Sequence, residues 1–259
     1  MNTAPAAPVS LIPLAGVPLV EPGDDLGRIA AVALRANGLA LEEGDVLVVA
    51  QKIVSKAQGR LVDLATVTPS ARAVALAAET GKDPRLVEVI LSEAKRVVRQ
   101  RPGLIIVEHR LGFVMANAGV DHSNVPMPEG GERVLLLPRD PDGAARALRH
   151  ALMAEFGKRI AVVINDSFGR PWRRGVAGVA LGAAGLPALV DRRGHPDLFG
   201  RPLLVTEIGF ADEIAAAASL VMGQADEGLP IVLVRGLSWS APELPAAALV
   251  RPAERDLFR

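Results

Sequence analysis

Apolar runs alternate along the chain with segments of helical periodicity. Short, nearly continuous apolar runs predict buried strands, whereas segments with an apolar residue at every third or fourth position predict amphipathic helices. On this basis we predict strands at 9–14, 46–50, 104–109, 112–115, 134–137, 160–164 and 231–234. The helices are predicted at 26–37, 69–80, 84–97, 140–156 and 210–222.

Turn and capping residues set several of these boundaries. Gly38 and Gly81 are expected to end the first two helices, Thr68 to cap the second, and Pro141 to lie in the first turn of the helix 140–156. Residues 51–55 are expected as polar positions at a strand end, and 126–132 as a loop. Helices and strands interleave irregularly around one predicted hairpin at 104–115, and this order predicts a mixed α/β fold with a mixed sheet.

Composition limits the possible chemistry. The 259 residues include no cysteine, which excludes disulfides, thiolate catalysis and cysteine-bound zinc. A metal would need oxygen or imidazole ligands, and oxygen ligands favour Mg²⁺ or Mn²⁺. A net charge of zero and 3% aromatic residues argue against nucleic-acid binding. We find no signal peptide and no apolar run of about 18 residues, so we expect a cytoplasmic protein with no membrane association.

Two polar segments carry the best candidate residues. In "NDSFGRPWRRG" a carboxylate and a hydroxyl, Asp166 and Ser167, follow a buried strand, as ligand-binding residues of α/β proteins often do. In "ANAGVDHSN" Asp121 follows a glycine in a polar loop. Metal ligation is one interpretation of both; a helix N-cap at 166–167 and an Asx turn at 121 are equally simple alternatives.

Other residues are weaker candidates when taken singly. Arg170, Arg173 and Arg174 are suited to binding carboxylate or phosphate, and Trp172 either covers a site or packs. Lysines 52 and 56 either meet phosphates or lie on the surface. The four histidines have no metal-ligand spacing, and the chain contains neither GxxxxGK[ST] nor GxGxxG. The glycines at 175, 178, 182 and 185 are expected to allow close backbone approach.

Five segments in order make a more specific pattern. They are "LIPLAG" (11–16), "GDVLVVAQKIVSKAQGR" (44–60), "ANAGVDHSN" (116–124), "NDSFGRPWRRG" (165–175) and "ADEIAAAASLVMGQADEGLP" (211–230). In this order the chain resembles the coenzyme F420-0:γ-glutamyl ligase family.

The resemblance implies a fold and an activity. It implies one two-lobed ligase domain over 1–259, with mixed sheets, neither P-loop nor ATP-grasp, forming an intertwined homodimer and lacking the flavin-binding domain of some relatives. The implied reaction joins L-glutamate to the terminal carboxylate of the deazaflavin F420-0. In F420-0 the acid that bears this carboxylate lies next to a phosphate. It uses GTP and an acyl phosphate, and further γ-linked glutamates follow. Two Mg²⁺ or Mn²⁺ ions are implied, and a K⁺ ion is often helpful.

The resemblance also assigns roles to residues. The implied metal ligands are Asp121, Asp166, Ser167 and Gln224, and the implied catalytic residues are Asp121, Asp166 and Lys56. The implied nucleotide contacts are Leu11, Ile12, Pro13, Leu14, Gln51, Lys52, Lys56, Asn124, Met222 and Gly223.

Some positions depart from the family pattern. Gln58 replaces a frequent glutamate, Ser167 a frequent threonine, and Gln51-Lys52 a small hydroxyl pair. A ligase for another carboxylate or amino acid, and a nucleotide-binding protein without turnover, therefore remain as alternatives. The group that takes the proton from the glutamate amine is left open among metal-bound hydroxide, His122 and solvent.

Overall fold

The computed structural model describes residues 8–126 and 131–257. Positions 127–130 of the predicted loop lie outside this range. The strands are β1 Ser10–Pro13, β2 Val46–Ala50, β3 Leu61–Asp63, β4 Ala94–Arg101, β5 Leu104–His109, β6 Val114–Ala116, β7 Arg133–Leu135, β8 Ala161–Arg170, β9 Arg173–Ala184, β10 Val190–Asp191, β11 Glu207–Ile208 and β12 Ile231–Arg235. The helices are α1 Leu26–Ala36, α2 Gln51–Ala57, α3 Ala71–Thr80, α4 Pro84–Glu93, α5 Pro141–Phe156 and α6 Phe210–Met222.

The largest sheet has five strands in the order β1-β12-β2-β8-β9. Only β2 and β8 run parallel within it, and every other neighbouring pair is antiparallel. The prediction of a mixed α/β fold with a mixed sheet is therefore confirmed. Helices α1 and α5 pack on one face of this sheet and α6 packs on the other, so both faces are buried. This explains why β2 and the first half of β8 are almost wholly apolar.

A separate core lies around the sheet β4-β5-β6. Helices α3 and α4 pack against this antiparallel sheet, together with the apolar residues of the segment before β7. A small cluster of Met115, Leu137 and Leu181, with Phe113 and Phe168, packs between this half of the molecule and the five-stranded sheet. Besides the cores on the two faces of the five-stranded sheet, the described residues thus form a further core built from residues between 62 and 136.

Backbone and side-chain hydrogen bonds connect the loop that carries Asp121 to β7 and to the segment after α2. Asp121 exchanges N–H···O bonds with Leu135 at 3.1 and 2.9 Å, and the Leu136 N–H donates to the Arg60 carbonyl at 3.1 Å. The Arg60 guanidinium, buried at this junction, donates to the Leu137 carbonyl at 2.9 Å and to the Glu93 carboxylate at 2.8 Å. The loop that carries Asp121 is therefore anchored to the chain that leaves α2.

Several predicted boundaries are wrong. The strand predicted at 160–164 continues to Arg170, so Asp166 and Ser167 lie within a strand and cap no helix. Residues 51–55, predicted as a strand end, begin helix α2, in which Gln51 is buried. The helix predicted at 84–97 ends at Glu93, and β4 follows directly.

Smaller shifts occur elsewhere. Ser70, and not Thr68, caps α3, since its hydroxyl accepts a hydrogen bond from the Ala73 N–H. Helix α1 ends at Ala36, one residue before the predicted end. The second hairpin strand is Val114–Ala116 instead of 112–115, and β7 begins and ends earlier than 134–137. Gly81 ends α3 with left-handed backbone, as predicted.

The segment that contains Gly175, Gly178 and Gly182 forms β9, a strand that was not predicted from the sequence. A Cβ on Gly178 would lie 2.4 Å from the Ala215 carbonyl oxygen of α6, and one on Gly182 would lie 2.3 Å from the Pro141 carbonyl oxygen of α5. One on Gly185 would lie 2.6 Å from the Ile160 carbonyl oxygen, whereas nothing lies within 4 Å of Gly175. The expected close approach is confirmed at three of the four glycines.

Within the part of the chain that the structure describes, no helix combines the length and the apolar character needed to cross a membrane.

Candidate active site

Most of the candidate residues lie at one edge of the five-stranded sheet, the edge at which β1 and β2 end. Strand β2 ends at Ala50, which pairs in parallel with Asn165 of β8, so Gln51 and Asp166 follow at the same level. The Ala50 N–H donates to the Pro230 carbonyl at 2.8 Å, and the Leu14 N–H donates to the Ile231 carbonyl at 2.9 Å. The ends of β1 and β2, the middle of β8 and the start of β12 therefore share one edge.

Asp121 is connected to this edge of the sheet by an ion pair with Lys52 of α2. The Lys52 ammonium lies 2.8 Å from Asp121 Oδ2 and donates to the Ser123 hydroxyl. Ser123 in turn donates its N–H to Asp121 Oδ1 at 2.7 Å and its hydroxyl to Oδ2 at 3.0 Å. Burial alone would raise the pKa of Asp121, but the Lys52 ammonium and the Ser123 N–H lower it below the ordinary value. Asp121 is therefore held as a carboxylate.

Asp166 lies close enough to Asp121 for their charges to interact. Its carboxyl lies deep among protein atoms, although part of the residue reaches solvent. Desolvation raises the pKa of Asp166 to about 6, and the negative charge of Asp121 contributes to the rise. The Ser167 N–H, the Lys52 charge and the Gln51 side chain act in the opposite direction. The two candidate carboxylates, 45 positions apart in sequence, thus lie within range of each other's charge and of the Lys52 ammonium.

The turn after α6 completes the cluster. The Asn124 amide donates to the Ala225 carbonyl at 3.0 Å, and the Asn165 amide lies 3.6 Å from the Met222 sulfur. Gln224 is exposed between these two anchored positions. Gly223 has φ 77° and ψ 178°, and a Cβ there would lie 2.1 Å from the Glu227 carboxyl carbon. Only glycine therefore allows this turn to fold back on itself.

One of the two carboxylates of this turn, that of Glu227, stabilises the turn. Glu227 accepts a hydrogen bond from the Ala225 N–H at 2.8 Å, which lowers its pKa and stabilises the turn. Asp226 is exposed.

The implied nucleotide-binding residues lie along the same edge. Leu11 and Ile12 pack into the cores on opposite faces of the sheet, and Leu14 is fully buried. Strand β1 is the outermost strand of this sheet and pairs with β12 on one side. A ligand at 11–14 would therefore meet the backbone groups of its open side more than side chains. Lys56 is half-buried on α2, and burial, followed by the neighbouring Lys52 charge, lowers its pKa.

The basic cluster after Asp166 lies at the end of a hairpin. Arg170 pairs with Arg173 across the turn made by Pro171 and Trp172, and Arg174 follows on β9. All three arginines are exposed. The structure therefore separates them along the strand from the two carboxylates.

Sequence reasoning missed two residues of this site. Ser123 holds both Asp121 and Lys52, and the Asp-x-Ser pattern of an Asx turn is the signal that predicts it. Asn165 is buried, its amide also donates to the Ser219 hydroxyl at 3.1 Å, and its Oδ1 has no partner among the described residues.

Residues that could hold a metal contribute mainly oxygen atoms. Among residues 8–126 and 131–257, no three histidines, aspartates or glutamates converge in a metal-binding cluster. The carboxylates of Asp121 and Asp166, the Ser167 hydroxyl and the Gln224 amide are the oxygen donors that the resemblance implies. His122 and the histidines at 150 and 195 are exposed, whereas His109 is buried, with its Nε2 3.4 Å from Glu93 Oε2.

Comparison with known proteins points to one family. The family model described as F420-0:Gamma-glutamyl ligase matches residues 16–236. A protein of Methanothermobacter thermautotrophicus named coenzyme F420:L-glutamate ligase is 47% identical over 253 residues, which cover 97% of this chain and 99% of the relative. Relatives with the same name from Methanopyrus kandleri and Methanocaldococcus jannaschii are 51% and 45% identical, over 93% and 85% of this chain and 93% and 86% of their own lengths.

The family match spans β2, the loop that carries Asp121, strand β8 with Asp166, and the turn after α6, whereas β1 lies before it. The chain belongs to the F420-0:gamma-glutamyl ligase family.

Proposed function

We propose that this protein joins L-glutamate to the terminal carboxylate of F420-0 with consumption of GTP, and then adds further γ-linked glutamates. Membership of the family and the names of its relatives support the reaction class. The observation that carries the proposal is the meeting of Asp121 and Asp166 at the sheet edge, with Lys52 against the first.

The donor set suits a hard divalent cation. The carboxylates of Asp121 and Asp166 interact unfavourably, and Asp166 becomes a good ligand only when its proton is lost. A cation between them would remove that cost, and carboxylate, hydroxyl and amide oxygens are suitable ligands for Mg²⁺ or Mn²⁺. We propose Asp121, Asp166, Ser167 and Gln224 as the ligands of two ions. The ions would neutralise negative charge on the triphosphate.

The lysines of α2 would act on the phosphates directly. Lys52 and Lys56 lie on consecutive turns of one helix face, and Lys52 already reaches the Asp121 loop. In the proposed reaction a carboxylate oxygen of F420-0 attacks the γ-phosphorus of GTP, and GDP leaves. The glutamate nitrogen then attacks the acyl carbon, loses a proton and expels phosphate. Positioning and charge neutralisation are what such a phosphoryl transfer requires from the protein.

The nucleotide would lie along the sheet edge. The exposed backbone of β1 at 11–14, Gln51 with Lys52 at the start of α2, Asn124, and the turn at Met222 and Gly223 border this space. Gln51 interacts with Asp166 on β8 and Lys52 with Asp121, which supports a role in the proposed site for the pair that departs from the family pattern. Stimulation by K⁺ and an intertwined homodimer are further parts of the proposal.

Replacing Asp166 tests the proposal. Asp166→Ala should abolish GDP release from GTP in the presence of F420-0, glutamate and Mn²⁺, while far-UV circular dichroism and the thermal melt show a folded protein. The control is Asp191→Ala, which removes an exposed carboxylate on β10 that forms an ion pair with Arg193. Undiminished GDP release by the folded Asp166→Ala protein would refute the assigned role. Wild-type GTP consumption with alanine or another acid replacing glutamate or F420-0 would favour a ligase of different specificity.

A further inference from the structure

The turn between β8 and β9 lies at the end of a two-stranded hairpin whose last residues are exposed to solvent. We call residues 168–177 the hairpin arm. Residues 169–176 are exposed, and Trp172 at the tip is 87% exposed. Trp172 has φ 65°, a backbone conformation that is rare for a bulky residue and usually left to glycine. A large aromatic group is therefore kept at the tip of the arm at a cost in backbone energy.

The arm continues the strand that carries Asp166. Side chains two apart on a strand share a face, so Asp166 and Phe168 point the same way from β8. The register with β9 shifts between Gly169 and Arg170, and beyond this shift Arg170 and Arg173 are cross-strand partners at the end of the arm. Phe168 meets Phe113 edge to face, with ring centroids 5.9 Å apart, which shows that the face of Asp166 and Phe168 is turned toward the half of the protein that bears Asp121.

The distance along β8 from Asp166 to the end of the arm matches an extended acceptor. Arg170 lies four positions after Asp166, which at about 3.3 Å per residue corresponds to roughly 13 Å. A molecule whose reacting carboxylate lies at Asp166 would therefore meet the arginines with a group farther along its length.

The positive charge on the arm has no counter-ion among the residues that the structure describes. Arg170, Arg173 and Arg174 form no ion pair with the residues that the structure describes, whereas the exposed Arg193 and Arg201 do. Three guanidinium groups within five positions repel one another unless an anion binds there. Their planar donors suit phosphate and carboxylate oxygens, and an exposed indole offers a surface for a planar ring.

We propose that the hairpin arm docks the acceptor of the ligase reaction, an inference that rests on the proposed function. Arg170 and Arg173 bind the phosphate of F420-0, Trp172 stacks on its deazaflavin ring, and the terminal carboxylate is thereby directed toward Asp166. The arm then selects the acceptor, whereas the sheet edge holds GTP.

Steady-state kinetics separates these two roles. The double variant Arg170→Gln/Arg173→Gln should raise the KM for F420-0 at least about tenfold, in line with the loss of charge-assisted hydrogen bonds, and leave the KM for GTP within about twofold. Trp172→Ala should also raise the KM for F420-0, and Trp172→Phe should restore most of the affinity because it keeps an aromatic face. The control is Arg99→Gln, which removes an exposed arginine from β4.

Three outcomes would overturn the proposal for the arm. An unchanged KM for F420-0 in the folded double variant would show that the acceptor docks elsewhere. Equal loss for GTP and F420-0 would show a general effect on the site. Conversion to monomers with parallel loss of both substrates, measured by sedimentation, would show that the arm is an interface between copies. A wild-type protein that adds no glutamate to F420-0 would instead refute the proposed function itself, so the two failures are distinguishable.

Discussion

The buried carboxylate of Glu93 gives the sharpest prediction about stability. Glu93 ends α4 and is 7% exposed, and its Oε2 lies 2.8 Å from Arg60 Nη2, 3.0 Å from Arg110 Nε and 3.4 Å from His109 Nε2. Burial alone would raise the pKa of Glu93, but His109, Arg60 and Arg110 lower it from 4.5 to about 2. We predict that Glu93→Gln destabilises the protein strongly at neutral pH.

The magnitude follows from the difference between these pKa values. Preferential binding of the ionised carboxyl in the folded state corresponds to about 3 kcal/mol, which agrees with the ~3–5 kcal/mol cost of removing one partner from a buried ion pair. Because the folded pKa lies below the unfolded one, this stability is present above pH 4.5 and is lost as the pH falls through about 2.

Urea denaturation of the wild type and the variant from pH 7 to pH 3 measures both effects. The free energy of unfolding should differ by about 3 kcal/mol at pH 7, and the difference should shrink below pH 4.5. Glu43→Gln is the control, since Glu43 pairs with Arg159 at the surface and its loss should have a small effect. Equal stability of wild type and Glu93→Gln at pH 7, or a difference that is independent of pH, would refute the reasoning.

Two further predictions concern the site and the sheet. Lys52→Met should lower GDP release at least about tenfold by removing the cation from Asp121, with little change in the thermal melt because the pair is partly exposed; unchanged turnover would contradict it. Gly182→Ala should destabilise the protein by at least about 1–3 kcal/mol in urea denaturation because its Cβ would meet the Pro141 backbone at 2.3 Å. Gly169→Ala, with nothing within 4 Å, should change little, and equal stability of the two variants would contradict the packing argument.

Helices and strands with a clear apolar pattern were predicted well from the sequence. Strand β2 is an uninterrupted apolar run at the centre of a sheet, and α5 has Pro141 at its start and Gly157 at its end, so propensity, pattern and capping agree. Helix α6 has no side-chain cap, but its thirteen residues form a long, strongly helical segment, and both of its ends were predicted correctly.

The missed elements lack such agreement. Helix α2 is seven residues long, follows β2 without a break and has no side-chain cap, so Gln51 gave no sign of a helix start. Strand β4 follows α4 directly, and its exposed lysine and arginines suit a helix as well as a strand. Strand β9 is rich in glycine and alanine because α5 and α6 approach it closely, which is a tertiary requirement.

The candidate site was predictable in part. The resemblance singled out Asp121 and Asp166, but the residues alone allowed simpler interpretations because neither loop indicates its distant partner. The contact between Lys52 and Asp121 depends on the two halves of the molecule meeting through Leu136 and Arg60. No local pattern encodes that contact. The arm that separates Arg170 from Asp166 was likewise hidden, since the strand was expected to end at residue 164.

Product analysis with the full set of substrates tests the central claim most directly. The purified protein would be incubated with F420-0, L-glutamate, GTP and Mn²⁺, and the products would be measured by mass spectrometry alongside GDP and phosphate. The account predicts F420 species that carry one or more added glutamyl residues, with one GDP and one phosphate released for each amide bond. Release of GDP without glutamylated product, or no consumption of GTP by the folded protein under these conditions, would contradict it.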